Sequence, residues 1–183
     1  LMFNVISDSV AKAKERLQSR LDDGLTVDWI EMGNENFFDK QNYGNVSSLQ
    51  NYIAHTKKLS KGLKEVDPSI QTAINIEHST YDTGGWNMTL AQEDYYDAVV
   101  THPYINTKTF LLNDFSARQI FSSYKITSNV IHEYKIHFGT SKPLLLTEWS
   151  ILSEGTPVNF AQTLGLADMF LAIEQGNFEG IVK

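Results

Sequence analysis

Short apolar runs alternate along this chain with longer segments whose apolar residues recur every three or four positions, and that alternation restricts the fold more than any other feature. A first helix is expected from a cap at Ser7 or Asp8, with Val10, Ala13, Leu17 and Leu21 on one face and a stop at Asp22-Asp23-Gly24. The strand Val27 to Met32 follows. Ser47-Ser48-Leu49-Gln50 reads as a capping box, and Leu49, Tyr52, Ile53, Thr56, Leu59, Leu63 and Val66 mark one helical face. This helix must stop at Asp67-Pro68, because proline disfavours the helical conformation of the residue before it.

Ile70 to Ile76 reads as the next strand. A loop of about 20 residues then carries Gly84-Gly85-Trp86 and a short helix over Thr89 to Tyr96, and loops of that length are usually functional or disordered. Asp97 to Tyr104 is one strand, a long helix runs from Ser116 to Phe138, and Lys142-Pro143 introduces the strand Leu144 to Thr147. Phe160, Leu164, Ala167, Phe170 and Leu171 mark a final helix, broken at Gly176-Asn177, before Gly180-Ile181-Val182 opens another strand.

Regular exchange of strand and helix gives an α/β class with parallel strands and helices packed outside them. Five such strands suit either an open doubly wound sheet or part of a (β/α)8 barrel. A closed barrel typically takes about 250 residues, and the chain has 183. The expectation is one domain over residues 1–183, cut at both ends. In either architecture the C-terminal strand ends share a rim, which places Glu35, His102, Tyr104 and Glu148 there.

Charge narrows the partners. With 22 acidic against 15 basic residues, a net charge of −7, there is no basic footprint for nucleic acid or an anionic membrane. No apolar stretch has the length of a membrane span. The absence of cysteine excludes disulfides, thiolate metal sites and a cysteine nucleophile, and leaves the compartment open.

Two strand-end glutamates carry the chemistry. Glu35 closes Val27 to Glu35, and Glu148 closes Leu144 to Glu148. Strand alternation would put Glu35, Gly33, Glu31 and Trp29 on one face. A buried Glu31 then needs a cationic or hydrogen-bonding partner, expected from a strand outside this chain. A metal site built from Glu31, Glu35, His102 and Glu148 lacks any His-x-His or Glu-x-x-His spacing, so no metal is expected.

Trp29-Ile30-Glu31-Met32-Gly33-Asn34-Glu35 resembles the fourth-strand motif of clan A glycoside hydrolases. Thr147-Glu148-Trp149 resembles their seventh-strand motif, and His102-Pro103-Tyr104 their sixth-strand His-x-Tyr. The order of the three motifs agrees along essentially the whole chain, from the third helix of such a barrel to the start of its eighth strand. Within the clan the likeness is greatest to families 51, 39 and 79, which include α-L-arabinofuranosidases, β-xylosidases and β-glucuronidases, and to agarase-like enzymes.

The resemblance implies retaining hydrolysis without a cofactor. Glu35 would be the general acid/base and Glu148 the nucleophile, at a carboxyl separation of about 5–5.5 Å. Asn34 would bind a sugar hydroxyl, Tyr104 would hydrogen-bond the nucleophile, and His102 would line the sugar subsite. Trp149 and Trp86 are candidates for stacking on sugar rings, and His78 for the mouth of the site.

The substrate expected is a plant or algal polysaccharide or oligosaccharide, with α-L-arabinofuranosides first and β-xylosides, β-glucuronides and agarase-type substrates as alternatives. A second expectation is an inert partial barrel that binds sugar or associates through open sheet edges.

Overall fold

The computed structural model describes residues 1–77, 85–106, 122–139, 142–152 and 160–175. They fall into two compact units, one built from residues 1–77 and 85–100 and the other from residues 101 onward.

In the first unit a sheet of order β1-β2-β3-β4 is formed by Met2–Phe3 (β1), Trp29–Met32 (β2), Gln71–Asn75 (β3) and Ala98–Val100 (β4). All neighbours are parallel, with Met2 opposite Glu31, Glu31 opposite Ala73, and Ala73 opposite Ala98. The strands are separated by α1 (Val10–Asp22), α2 (Leu49–Val66) and the short α3 (Trp86–Leu90). This is the α/β class expected from the sequence. The structure adds β1 ahead of the first helix, a strand too short to show a period.

Local chemistry sets the helix ends. The cap of α1 is Ser9, whose hydroxyl accepts from the Lys12 N–H at 3.2 Å, rather than Ser7 or Asp8. Asp8 is instead buried and paired with Lys12 and Arg16. At the other end Gly24, at φ +78°, donates to the Leu21 carbonyl while the Leu25 N–H reaches Arg20, so two orphan carbonyls are satisfied by a left-handed residue. The cap of α2 is Ser48, which accepts from the Asn51 N–H, one residue beyond the Ser47 expected. Ser47 accepts from the Asn51 side chain instead. The helix ends before Pro68 as expected, with Asp67 extended at φ −141°.

The short helix of the long loop lies at Trp86–Leu90, earlier than the expected Thr89 to Tyr96. Trp86 is drawn inward, and burial of its ring fixes where that turn forms.

The second unit holds β5 (Tyr104–Asn106), α4 (Ser122–Phe138), β6 (Leu144–Leu145), β7 (Ser150–Leu152) and α5 (Phe160–Gln175). The run from Asp97 to Tyr104 is thus two strands rather than one. Pro103 has no N–H to give a ladder, and the chain changes partner across it. β5 pairs in parallel with β7, which the sequence did not suggest, with Tyr104 opposite Ser150 and Ile105 opposite Ile151. The Thr101 N–H donates to the Leu145 carbonyl at 3.1 Å. Ile105, Ile151 and Met169 form a buried cluster with Ile126, Trp149 and Leu166 against it. Asp168 on α5 accepts from the Tyr124 N–H at 2.6 Å, satisfying one orphan donor in the first turn of α4. The expected start of α4 at Ser116 and the strand at Gly180 fall outside the described residues.

Candidate functional site

The Glu35 segment begins where β2 stops. Gly33 leaves the strand at φ +99°, and a Cβ there would stand 2.0 Å from Asn36 Oδ1 and 2.7 Å from Val5 Cγ2, so only glycine fits. Asn36 is fully buried. Its Oδ1 accepts from the Asn34 N–H at 3.1 Å and its Nδ2 donates to the Gln41 carbonyl at 3.0 Å. Glu35 follows at φ +47°, and its carbonyl accepts from the Phe38 N–H. Strand alternation therefore does not carry through to Glu35: a turn aims it. Asn34 Nδ2 lies 3.4 Å from Gln41 Oε1, while Asn34 Oδ1 is buried without a donor among the described residues.

Beneath this turn Glu31 is 6% exposed and accepts from Asn75 Nδ2 at 2.9 Å. The expectation that its partner lies outside the chain is thereby corrected. The register sets Glu31 opposite Ala73, so Asn75, two residues on, shares its face. Asn75 also donates its backbone N–H to the Tyr52 hydroxyl at 3.1 Å and accepts from Trp86 Nε1 at 3.0 Å through its carbonyl. The Tyr52 hydroxyl in turn donates to the Met32 carbonyl at 2.9 Å. One helix residue thus ties together the ends of β2 and β3 that lead into the site. Burial, with the neighbouring Tyr95 adding to it, pushes the Tyr52 phenol well above its ordinary range, so the hydroxyl stays a proton donor.

Trp86 is 5% exposed, with its ring 5.0 Å from that of Tyr52 and edge-on to Phe37 at 6.2 Å. It packs into the core of its unit. The Asn87 side chain closes the same turn onto the Glu77 backbone with two hydrogen bonds. His78 lies outside the described residues.

In the second unit the segment after β6 presents Thr147, Glu148 and Trp149 to the start of β5. The Tyr104 hydroxyl donates to Glu148 Oε2 at 2.7 Å. His102 is 2% exposed; its Nδ1 lies 4.0 Å from the same Oε2 and its Nε2 is 2.9 Å from Thr147 Oγ1. The Glu148 side chain is 40% exposed, so one oxygen is held by the part-buried Tyr104 hydroxyl while the carboxylate still meets solvent. Trp149 packs on the Ile105–Ile151–Met169 cluster with its ring 6.4 Å from Phe170.

His102, Tyr104 and Glu148 are thus brought together within one unit, and Asn34 and Glu35 within the other. The sequence assigned no site role to Asn36, Asn75, Tyr52 or Thr147. For Asn36 a signal existed, since an Asn-x-Asn beside a glycine favours a side-chain-closed turn. For Asn75 and Tyr52 none did, because their partners are distant in sequence.

No protein-family model and no curated protein sequence matches the chain. Solved structures do. An α-L-arabinofuranosidase from Thermotoga maritima is 15% identical with a TM-score of 0.72, over 99% of this chain and 42% of that protein. A family 51 α-L-arabinofuranosidase from Bifidobacterium longum is also 15% identical with a TM-score of 0.72, over 100% of this chain and 45% of its own length. A β-glucuronidase from an uncultured Clostridium is 14% identical with a TM-score of 0.59, over 94% of this chain and 28% of that one. The chain spans less than half of each. What it shares with these glycosidases, along nearly its whole length, is the fold of one segment of them.

Proposed function

We propose that the chain is a catalytic segment of a retaining glycoside hydrolase, with Glu148 as nucleophile and Glu35 as general acid/base. The observation that carries the reading is the Glu148 carboxylate, half open to solvent yet oriented by the Tyr104 hydroxyl at 2.7 Å. In the first step Glu148 bonds to the anomeric carbon as the glycosidic C–O bond breaks, and the departing oxygen takes the proton of Glu35. In the second, water attacks that carbon, gives its proton to Glu35, and frees Glu148. Asn34 Oδ1, a buried acceptor with no donor among the described residues, suits a sugar hydroxyl. In this scheme His102 lines the sugar subsite and Trp149 stacks on a sugar ring, while Trp86 stays in the core of its own unit against Tyr52.

The substrate class proposed first is an α-L-arabinofuranoside of a plant or algal polysaccharide, ahead of β-xylosides, β-glucuronides and agarase-type substrates. The test is a panel of nitrophenyl glycosides given to this chain and to the longest polypeptide that contains it. Turnover that falls at least about 1,000-fold in Glu148→Gln and in Glu35→Gln supports the assignment. Turnover unchanged by Glu148→Gln refutes it.

A second reading, association through the sheet edge, is favoured by the terminal strand β1. Leu1 and Met2 are exposed there beside a cleft of about 670 Å³ that also takes in Phe3, Leu25, Arg16 and Arg20. A monomer at all concentrations by sedimentation would remove it.

A further inference from the structure

Thr147 has no part in the hydrolytic scheme, yet it touches the residue that flanks the proposed nucleophile. Its Oγ1 lies 2.9 Å from His102 Nε2, and the other ring nitrogen, Nδ1, faces Glu148 Oε2 at 4.0 Å. One buried imidazole therefore spans two consecutive residues of the segment after β6. In a neutral imidazole one nitrogen carries the proton and the other a lone pair, and the neighbours decide which.

An ionised carboxylate offers only lone pairs, so the nitrogen facing Glu148 is favoured as the N–H. Nε2 is then the acceptor, and the Thr147 hydroxyl has a proton to give it. We infer that Thr147 is a positioning residue: its hydroxyl donates to His102 Nε2, holds the ring as the Nδ1–H tautomer and turns that N–H toward Glu148. The Tyr104 hydroxyl already addresses the same Oε2 at 2.7 Å. Among the described residues both contacts fall on Oε2, which leaves Oε1 as the oxygen to meet an anomeric carbon. The importance of the device rests on the reading of Glu148 as the nucleophile, but the tautomer itself is measurable without turnover.

The measurement is long-range 1H–15N correlation of the imidazoles in the 15N-labelled 183-residue chain, with His102 assigned by comparison with His102→Gln. His102 is expected as Nδ1–H. Thr147→Val should move the tautomer ratio toward Nε2–H by about fivefold, the worth of one neutral hydrogen bond, and Thr147→Ser should restore the original ratio. A purely packing role for the threonine methyl would leave the ratio unmoved in the valine variant, and that result overturns the inference. So does an Nε2–H tautomer in the unmodified chain, which decides the matter even if the valine variant fails to fold. A chain that hydrolyses nothing yet keeps the Nδ1–H pattern supports the positioning geometry and counts against hydrolysis alone.

Discussion

Replacing Tyr52 with phenylalanine removes one oxygen atom and, with it, the link between two strand ends. That hydroxyl donates to the Met32 carbonyl at 2.9 Å and accepts from the Asn75 N–H at 3.1 Å, and Tyr52 is fully buried. The ring stays, so its contact with Trp86 at 5.0 Å survives and little apolar burial is lost. What changes is that one buried carbonyl and one buried N–H lose their partner. At about 1–3 kcal/mol for each of the two buried groups left unsatisfied, the loss is about 2–6 kcal/mol. Taking about 3 kcal/mol and a urea slope of about 2 kcal/mol per molar, the unfolding midpoint falls by about 1.5 M.

The local readout is amide hydrogen exchange, which reports on the first unit directly: the Asn75 amide should lose protection first, ahead of the amides deeper in β3. A midpoint shift under about 0.25 M with unchanged Asn75 protection would refute the reasoning, and would mean that the two strand ends close and bond each other directly.

Gly33→Ala forces a side chain onto a φ of +99° and sets its Cβ 2.0 Å from Asn36 Oδ1. It should cost about 2 kcal/mol or more and lower the melting temperature by about 4–8 °C, checked by calorimetry. For His55, burial chiefly and the charge of Lys58 next lower the pKa below 6.5, outweighing the hydrogen bond to the Asp8 backbone that raises it. The folded chain therefore takes up this proton at lower pH than the unfolded chain, so the stability it contributes is present above pH 6.5 and is lost as pH falls below that value. Urea titrations at pH 7.5 and 5.5 should show a smaller drop in His55→Gln than in the unmodified chain, and an equal drop would count against the assignment.

How far the sequence could be read depended on the range of the interaction. The helix from Leu49 to Val66 was legible, with its cap displaced by one residue to Ser48, because its apolar face and its proline stop are local. β7 was not: three residues carry no usable period, and its partner β5 lies more than forty positions earlier. The Glu31–Asn75 pair was hidden for a related reason, since it depends on the β2–β3 register, which no local pattern encodes. The three motifs around Glu35, His102 and Glu148 stood out because glycine, asparagine and glutamate after an apolar run contradict simple burial. The turn that aims Glu35 did not, because alternation predicts a strand side chain there and the tight Gly33–Asn36 turn overrides it.

The left-handed backbone of Glu35, at φ +47°, makes this position a conflict between foldability and chemistry. An L-residue in that conformation gives up about 1 kcal/mol relative to glycine, and asparagine tolerates it better than glutamate. A library of variants sorted for thermal resistance alone should therefore enrich glycine or asparagine at position 35, discarding the carboxylate while improving the scaffold. The same asymmetry makes Glu35→Gly an informative knockout. Its expected gain in stability means that lost turnover could not be blamed on a damaged fold.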